Sequence, residues 1–409
     1  MAVAKIGDTT YDTLSAAITA ANAISDNVII DLIDNIILTS NLTIQNNITI
    51  QGNYTMSRTT SYIGTLFTIK ANKVLTLDGG IVLECGNNWT MDMEIYNNAL
   101  YSAIKLSSYT DFFTPEDGGV SVTAPVFNTA GTLNLNNIII RNHFGVSQRL
   151  VAASSGAKIN LNGVQILHCA IGNGSGLVVD ASNSTIQVTI NEGTLIDDCF
   201  VGNNHGLFKM YSGAKTTMNG GTISNIRGYN SNGVVIGLYG TDSTFTMNGG
   251  SITHVCGIMS ASNGRNAPIY VHRNGVFIMN GGTIAYNIGT GCGGIDAPYT
   301  TDGYTSTVTI NDGVVAHNQV TIPTYTNSCD IRGSDKIYIT GGAYTQDVSQ
   351  WCTENYAAVQ LPDGTWGVKT TLFEAYVCVD GVIYKADLYV CVNGVISKVS
   401  GIQSRLDLN

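Results

Sequence analysis

The chain has 409 residues, of which 44% are hydrophobic and only 12% are charged, and its formal net charge is −10. The hydrophobic fraction excludes a disordered chain. The shortage of Lys and Arg disfavours binding to nucleic acid or to anionic membranes, because few cations can neutralise phosphate. No apolar run approaches the ~20 residues of a membrane span, and the first residues lack the form of a signal peptide. The 46 glycines, with abundant Asn, Thr, Ile and Val, favour strands joined by tight turns.

Residues 1–24 predict a short strand followed by a helix. Lys5-Ile6-Gly7 reads as the strand and its turn, and Asp12 or Thr13 can cap the helix. The apolar face of that helix consists of Leu14, Ala17, Ile18 and Ala21. We interpret this segment as a cover for one end of the repeat region that follows, the alternative being an unrelated surface helix.

Residues 25–370 carry a repeat of about 29 residues, which is the most informative feature of the sequence. Each copy has two apolar residues in alternating positions, an anchor residue that is most often Asn, a turn rich in Gly, and a further apolar residue. The anchors are Gln51, Asp78, Asn136, Asn162, Asn191, Asn219, Asn248, Asn280, Asn311 and Thr340. The step from Asp78 to Asn136 is twice the usual one, so a degenerate copy is predicted near Ile104-Lys-Leu-Ser107, which makes about eleven copies.

The repeat predicts an all-β fold, a parallel β-helix of about eleven coils; that this helix is right-handed and single-stranded is what the family resemblance given below implies. Alternating apolar positions place their side chains on one face of a strand, and the Gly-rich turns tolerate positive φ. One coil has no core of its own, so coils must stack at ~4.8 Å and bury their inward columns against each other. Anchor asparagines of successive coils can then hydrogen-bond to one another. A β-propeller or leucine-rich repeats would require other periods and motifs.

An insertion near residues 85–125 interrupts the register and concentrates aromatic and acidic residues. Such a composition suits a surface that contacts carbohydrate or protein. The candidate ligand-binding residues are Trp89, Tyr96, Tyr101, Tyr109, Phe112 and Phe113. The alternative is that these rings pack the insertion onto the rod.

Residues 371–409 predict a separate small β-module. Tyr376–Lys385 and Tyr389–Lys398 each alternate apolar and polar residues around an Asp-Gly or Asn-Gly turn, which is the pattern of a β-hairpin.

Nine cysteines cannot all pair internally, and no Cys-x-x-Cys motif occurs. Cys85, Cys169, Cys199 and Cys256 lie seven or eight residues after their anchors, which predicts one column of buried thiols. Disulfides or a metal site are the alternatives, and we predict neither a metal nor a cofactor.

Asp197 and Asp198, followed by His205 and Lys209, form the nearest approach to a catalytic constellation. β-Helix enzymes that cleave polysaccharide need carboxylates that converge on one face, often with His, Arg or Lys beside them, and a paired-carboxylate mechanism requires the two carboxyl groups to lie ~5–9.5 Å apart. The alternative is an Asp-rich turn without chemistry. The histidines at 143, 254, 272 and 317 read as surface or turn residues.

The repeats resemble the pectate-lyase-like superfamily of right-handed β-helices, over roughly residues 25–365. Asp197-Asp198 and His205-Gly206 loosely resemble two elements of its pectin-hydrolysing members, although their spacing differs and the remaining elements are not found. The opening segment from Ile6 to Ala21 resembles the start of many bacterial and phage β-helix surface proteins. The terminal hairpins resemble short modules near the ends of phage tail proteins.

These resemblances imply a non-enzymatic virion structural or adhesion protein, a tail-spike, fibre or head appendage that presents loops for attachment to a host surface. They also imply a homotrimer located in the virion, in contact with other virion proteins and with host polysaccharide or protein. The alternatives are an adhesin on the bacterial cell surface or outside the cell, and a polysaccharide lyase or glycoside hydrolase. Neither nucleic acid nor membrane insertion is expected.

Overall fold

The structure is a computed structural model that describes residues 1–59, 61–86, 88–102, 106–116, 122–181, 185–203, 206–211, 213–258, 266–298, 304–321, 330–333, 336–371, 375–379, 382–386, 389–392 and 395–398. Within this part of the chain the fold is a parallel β-solenoid, which confirms the predicted all-β repeat architecture. The solenoid has about nine turns, slightly fewer than the eleven predicted.

The number of turns is smaller partly because the 58 residues from Asp78 to Asn136 form one turn with an insertion rather than two turns. Leu75 pairs directly with Leu133, so no strand lies between them in the sheet. The degenerate copy predicted near Ile104-Lys-Leu-Ser107 is therefore wrong. Its described residues, Leu106 and Ser107, belong to no strand.

Most turns contribute strands to three sheets. The parallel strands of the first sheet are Val28–Leu32, Ile48–Gln51, Val74–Asp78, Thr132–Asn136, Lys158–Asn162, Gln187–Ile190, Lys215–Met218, Thr244–Met247, Val276–Met279, Thr307–Ile310 and Ile337–Ile339. The second sheet contains Ile36–Leu38, Thr55–Arg58, Val82–Glu84, Ile139–Gly145, Gln165–Asn173, Leu195–Asn203, Thr222–Tyr229, Ser251–Thr253, Cys256–Ile258, Thr283–Ala285, Ile288–Gly289, Val314–Ala316, Gln319–Val320 and Ala343–Tyr344. The third sheet contains Leu42–Ile44, Phe67–Ile69, Phe127–Thr129, Val151–Ala153, Val179–Ala181, Phe208–Met210, Gly233–Leu238, Ala267–Val271, Ile295–Ala297 and Ile331–Gly333.

The core is a set of inward columns that stay in register along most of the solenoid. Leu77, Leu135 and Leu161, for example, occupy paired positions in successive strands of the first sheet and are buried. Each such side chain stabilises the fold by about 1.5–3 kcal/mol against the entropy of ordering the chain.

The anchor asparagines form the predicted ladder. Asn162 Nδ2 donates to Asn136 Oδ1 at 2.7 Å, and equivalent bonds link each anchor to the previous one as far as Asn311. A row of amides suits a stacked turn because each side chain donates to one neighbour and accepts from the other. Like charges in the same row would repel.

A second row of special residues lies where the second sheet bends. In seven successive turns, one residue has a left-handed backbone, with φ between 49° and 58°, and then the chain returns to extended structure. We call this row the bend column; its members are Asn142, His168, Asp198, Asn225, His254, Tyr286 and His317. Asn, Asp and His tolerate this conformation better than most residues, whereas a bulky ring in it is unusual.

The N-terminal segment contains the predicted strand and helix, with a second strand between them that was not predicted. Strands Ala4–Ile6 and Thr9–Tyr11 precede the helix Leu14–Asn22. Thr13 is the N-cap, since its hydroxyl accepts from Ala16 N at 3.1 Å, and the four predicted apolar residues are buried against the solenoid core.

At the other end, an antiparallel pair that the sequence analysis did not predict follows the last turn. Tyr356–Gln360 pairs with Trp366–Thr370, which in turn pairs with Ala343–Tyr344. A 3-10 turn, Ser349–Trp351, precedes this pair. Beyond it, Ala375–Val379 pairs with Val382–Ala386 and Tyr389–Val392 pairs with Val395–Lys398, both antiparallel as expected. The domain boundaries placed after residues 24 and 370 stay predictions.

The insertion is a compact unit of its own. Strand Trp89–Met91 pairs antiparallel with Phe113–Pro115, and between them lie the helix Met93–Ser102 and the 3-10 turn Tyr109–Asp111. Asp92 begins this helix by accepting from the backbone N–H groups of Glu94 and Ile95.

Candidate functional site

The insertion packs on the second sheet through a cluster of aromatic rings. Of the six rings predicted to bind a ligand, Trp89, Tyr96, Tyr109, Phe112 and Phe113 are buried in this aromatic cluster. They contact residues of the solenoid, as in the Phe113–Phe200 pair with ring centroids 4.9 Å apart. The arrangement corresponds to the packing alternative. Tyr101 alone among the six is well exposed, at 64%, and the ligand-binding role of the set stays a prediction.

His168 joins the insertion to the solenoid through both of its ring nitrogens. Nδ1 lies 2.8 Å from Asp198 Oδ2, and Nε2 lies 3.0 Å from the carbonyl oxygen of Trp89. The indole ring of Trp89 lies parallel to the imidazole, with centroids 4.2 Å apart, and its Nε1 donates to the carbonyl of His168. We call this group, completed by Arg227 on the other oxygen of Asp198, the histidine clamp.

The clamp favours the protonated ring. Both neighbours of the imidazole are acceptors, so a hydrogen bond to each requires a proton on each nitrogen. The hydrogen bond to Asp198 raises the pKa of His168, and the same bond lowers the pKa of Asp198. With both nitrogens engaged, this imidazole has no lone pair with which to accept a proton from a substrate.

The candidate catalytic residues do not come together in the part of the chain that the structure describes. Asp197 Oδ1 accepts from Ser224 Oγ at 2.6 Å and from Asn225 Nδ2 at 2.8 Å, while Asp198 belongs to the histidine clamp. His205 lies outside the described residues. Lys209 lies on the third sheet, away from the second-sheet strand that carries the two aspartates. The catalytic role of Asp197, Asp198 and His205 stays a prediction.

Lys209 instead belongs to a charged group on the third sheet. Asp180 pairs with Lys209 in the strand register, and its Oδ2 lies 3.0 Å from Arg149 Nη1 and 3.8 Å from Lys209 Nζ. The carboxylate is largely buried, and Lys209 also lies over the ring of Tyr211. Two cations around one carboxylate leave a local positive charge in an otherwise acidic protein.

The bend column places three aromatic side chains in a row on the exposed surface. His254 stacks on Tyr286 with centroids 6.0 Å apart, and Tyr286 stacks on His317 at 5.0 Å, both pairs within 17° of parallel. We call these three residues the ring ladder. All three are exposed, Tyr286 at 55%.

Sequence reasoning treated these histidines as scattered, although a signal was present. Six of the seven bend-column residues stand six positions after their anchor, and Asp198 stands seven positions after Asn191. The period is therefore the same as that of the anchor asparagines. Because several residue types share the column, a search for one repeated residue does not find it.

Tyr286 is the least expected member of the ladder. Its φ of 58° is one that a bulky residue adopts at a cost of about 1–2 kcal/mol, whereas Asn occupies the same column at positions 142 and 225. Its ring is not needed to fill the core, because it lies outside on the surface. Unfavourable backbone conformations of this kind concentrate at functional sites.

The thiol column is confirmed in part. Cys85, Cys169 and Cys199 are free, buried and part of the core. Cys256 is the exception, because it pairs with Arg227 in a neighbouring outward column and is partly exposed. Its position one residue further from its anchor turns the side chain to the other face of the strand. Cys199 also stands eight residues after its anchor. However, the turn after Asn191 is one residue longer, so the side chain of Cys199 still faces the core.

Among the described residues, no group of three or more His, Cys, Asp or Glu side chains could hold a metal ion. None of the described helices is both long and apolar enough to cross a membrane. Comparison of the chain with protein-family models, curated proteins and solved structures found no match.

Proposed function

We propose that this chain is a non-enzymatic attachment protein, a β-solenoid rod that binds polysaccharide on a cell surface. The observation that carries the proposal is the ring ladder. It presents two imidazole edges and one phenol, one on each of three successive turns, along the solenoid axis. The side chains of the three residues make no hydrogen bond with any residue that the structure describes.

A row of this kind suits an extended polymer. The rings stack face to face and are exposed, so their ring nitrogens and hydroxyl group are accessible for hydrogen bonds with sugar hydroxyl groups. Their spacing repeats with the turn of the solenoid, so a linear glycan along the axis would contact several turns at once. Several weak contacts along one chain add as multivalent binding.

The state of the predicted catalytic residues supports binding rather than cleavage. Asp197 and Asp198 are held by Ser224, Asn225, His168 and Arg227, contacts that serve the packing of the solenoid and the insertion. A general acid or base would need a free proton position directed at a substrate.

The proposal extends to location and assembly on the basis of the resemblance to phage and bacterial β-helix proteins. We place the protein in a virion, as a homotrimeric tail-spike, fibre or head-appendage subunit that contacts other virion proteins. Light scattering tests the assembly, and a particle with the mass of a single 43.3 kDa chain would contradict the trimer.

Binding to an array of capsular and cell-wall glycans tests the function. We expect Tyr286→Asn to weaken glycan binding about tenfold or more while the fold stays intact, since Asn is native to this column. Tyr338→Asn is the matched control, because Tyr338 is an exposed tyrosine on the first sheet, 42% accessible, and its loss should leave binding unchanged. Equal binding by both variants, or release of reducing ends from any glycan, would overturn the proposal.

A further inference from the structure

Arg58 is a cation inside the solenoid core. It ends the second-sheet strand Thr55–Arg58, in which Met56 and Arg58 alternate with more exposed residues and so point inward. Arg58 pairs with Leu38 of the preceding turn, and only 5% of its surface is exposed. An arginine at such a position is rare unless it is paired.

No described residue supplies that pair. Nε, Nη1 and Nη2 of Arg58 are all buried and have no hydrogen-bond partner. The nearest acid in the sheet register is Glu84, which pairs with Ser57, but its carboxylate accepts from Arg141 Nε at 2.8 Å and from Asn142. Arg58 therefore has no carboxylate counter-ion among the residues that the structure describes.

The other polar groups around Arg58 are neutral. Cys85 follows Glu84 in the next turn, is fully buried, and has a pKa raised to about 12 by burial, so it is a thiol. The hydroxyl of Tyr62 donates to the carbonyl of Thr65 at 2.7 Å. His143 lies two residues beyond the partner of Glu84 and is fully buried in a strand, so its predicted surface or turn position is wrong. Burial lowers the pKa of His143 to about 4.

His143 adds a second unsatisfied atom on the same side of the core. Its Nε2 bonds to the carbonyl of Gln148 at 3.0 Å, whereas its Nδ1 has no partner. A guanidinium cannot lose its proton at ordinary pH, and an unpaired buried charge costs several kcal/mol. The core therefore holds an unpaired guanidinium, and the unpaired imidazole nitrogen of His143 lies within range of its charge.

We propose that Arg58 holds a small monovalent anion of the halide class inside the N-terminal turns of the solenoid. A halide supplies the missing negative charge and accepts from several guanidinium N–H groups at once. The anion must be small, because all three guanidinium nitrogens are shut off from solvent. A larger carboxylate or phosphate could not reach them without opening the core.

Stability in different salts tests this inference. At constant ionic strength, replacing gluconate by chloride or bromide should lower the unfolded fraction of the wild type at a fixed urea concentration about tenfold, because the anion binds only the folded chain. Arg58→Met should abolish that response. Arg141→Met is the matched control, since it removes an arginine of the same sheet that is about half exposed, and it should retain the response.

Further measurements separate the alternatives. Anomalous scattering from bromide at Arg58 would support the proposal, and Arg58→Lys should retain a weaker halide response if the Met variant fails to fold. If the unfolded fraction of the wild type is the same in chloride as in gluconate, the proposal is overturned and ordered water is the partner of Arg58. Thiolate absorbance at neutral pH that disappears in Cys85→Ala would also overturn it, by identifying Cys85 as the counter-ion.

Discussion

Replacing His168 by Asn tests the histidine clamp with little disturbance of the backbone. Asn occupies the same left-handed column at positions 142 and 225, so the substitution removes the ring but keeps a residue that tolerates this φ. The lost contacts are the bonds to Asp198 and to the Trp89 carbonyl and the parallel stacking on the indole.

The magnitude follows from these contacts. Stacking on an aromatic ring contributes about 0.5–1.5 kcal/mol. The ion pair with Asp198 contributes about 0.5–1 kcal/mol at most, because both side chains are at least one third exposed and solvent screens them. We therefore expect the free energy of opening the insertion to fall by about 1–2 kcal/mol at pH 5.5.

The ion-pair part depends on pH with a definite sign. The pKa of His168 is raised in the folded state, so its contribution is complete below the ordinary pKa of histidine and is lost as pH rises through the folded value. The pKa of Asp198 is lowered, so its contribution is lost only in strong acid, as pH falls through its folded value. The effect of His168→Asn should thus be larger at pH 5.5 than at pH 8.5, by about 0.5–1 kcal/mol.

Hydrogen exchange of the segment 89–102, corrected for the intrinsic pH dependence of exchange, measures this opening. His254→Asn is the control, because it removes a histidine of the same column that is bonded to no carboxylate among the described residues. An equal loss at both pH values for His168→Asn would refute the protonated clamp. So would a wild-type insertion that becomes more stable as pH rises from 5.5 to 8.5.

Three further outcomes test the fold. Asn219→Ala removes a hydrogen-bond donor to Asn191 and an acceptor for Asn248, both at 2.9 Å and exposed. It should lower the free energy of unfolding, measured by urea titration, by about 1 kcal/mol. An unchanged free energy of unfolding would mean that water replaces these bonds. Gly250→Ala should lower the free energy of unfolding in the same assay by about 1–2 kcal/mol or more. The φ of Gly250 is 83°, and a Cβ there would lie 2.6 Å from a backbone oxygen of the previous turn. A urea midpoint equal to that of the wild type would contradict this packing. Native protein should leave Cys199 unmodified by iodoacetamide while urea exposes it to complete reaction, and rapid native alkylation would place this thiol outside the core.

The repeat region shows why much of the fold could be predicted. The alternation of apolar residues and the Asn anchor recur in almost every turn, and each turn stacks on a near copy of itself. The ladder from Asn136 to Asn311 then follows, because equal spacing along the chain becomes equal position in space. The N-terminal helix could also be predicted, because its signals are close together in the sequence: Thr13 and the four apolar residues after it lie within three turns of helix.

The candidate site was less predictable because its partners come from different turns. Nothing local shows that His168 contacts Trp89, 79 residues earlier, or that Lys209 belongs with Asp180 rather than with Asp198. The composition of the insertion is compatible both with a ligand-binding surface and with a cluster of rings that packs on the solenoid. Burial of five of its six named rings depends on Phe144 and Phe200 of the solenoid beneath them.

By itself the sequence determined the architecture of this protein, because a period of about 29 residues with alternating apolar positions can bury its core only by stacking. The tertiary structure decided which face each side chain occupies. Cys199 stands one residue after the left-handed Asp198 and lies in a buried column, whereas Cys256 stands two residues after the left-handed His254 and lies in the outward column. The left-handed residues of three successive turns align His254, Tyr286 and His317 on the surface. Register and backbone bend, which depend on contacts between turns, set these positions, and hence the groups available for binding.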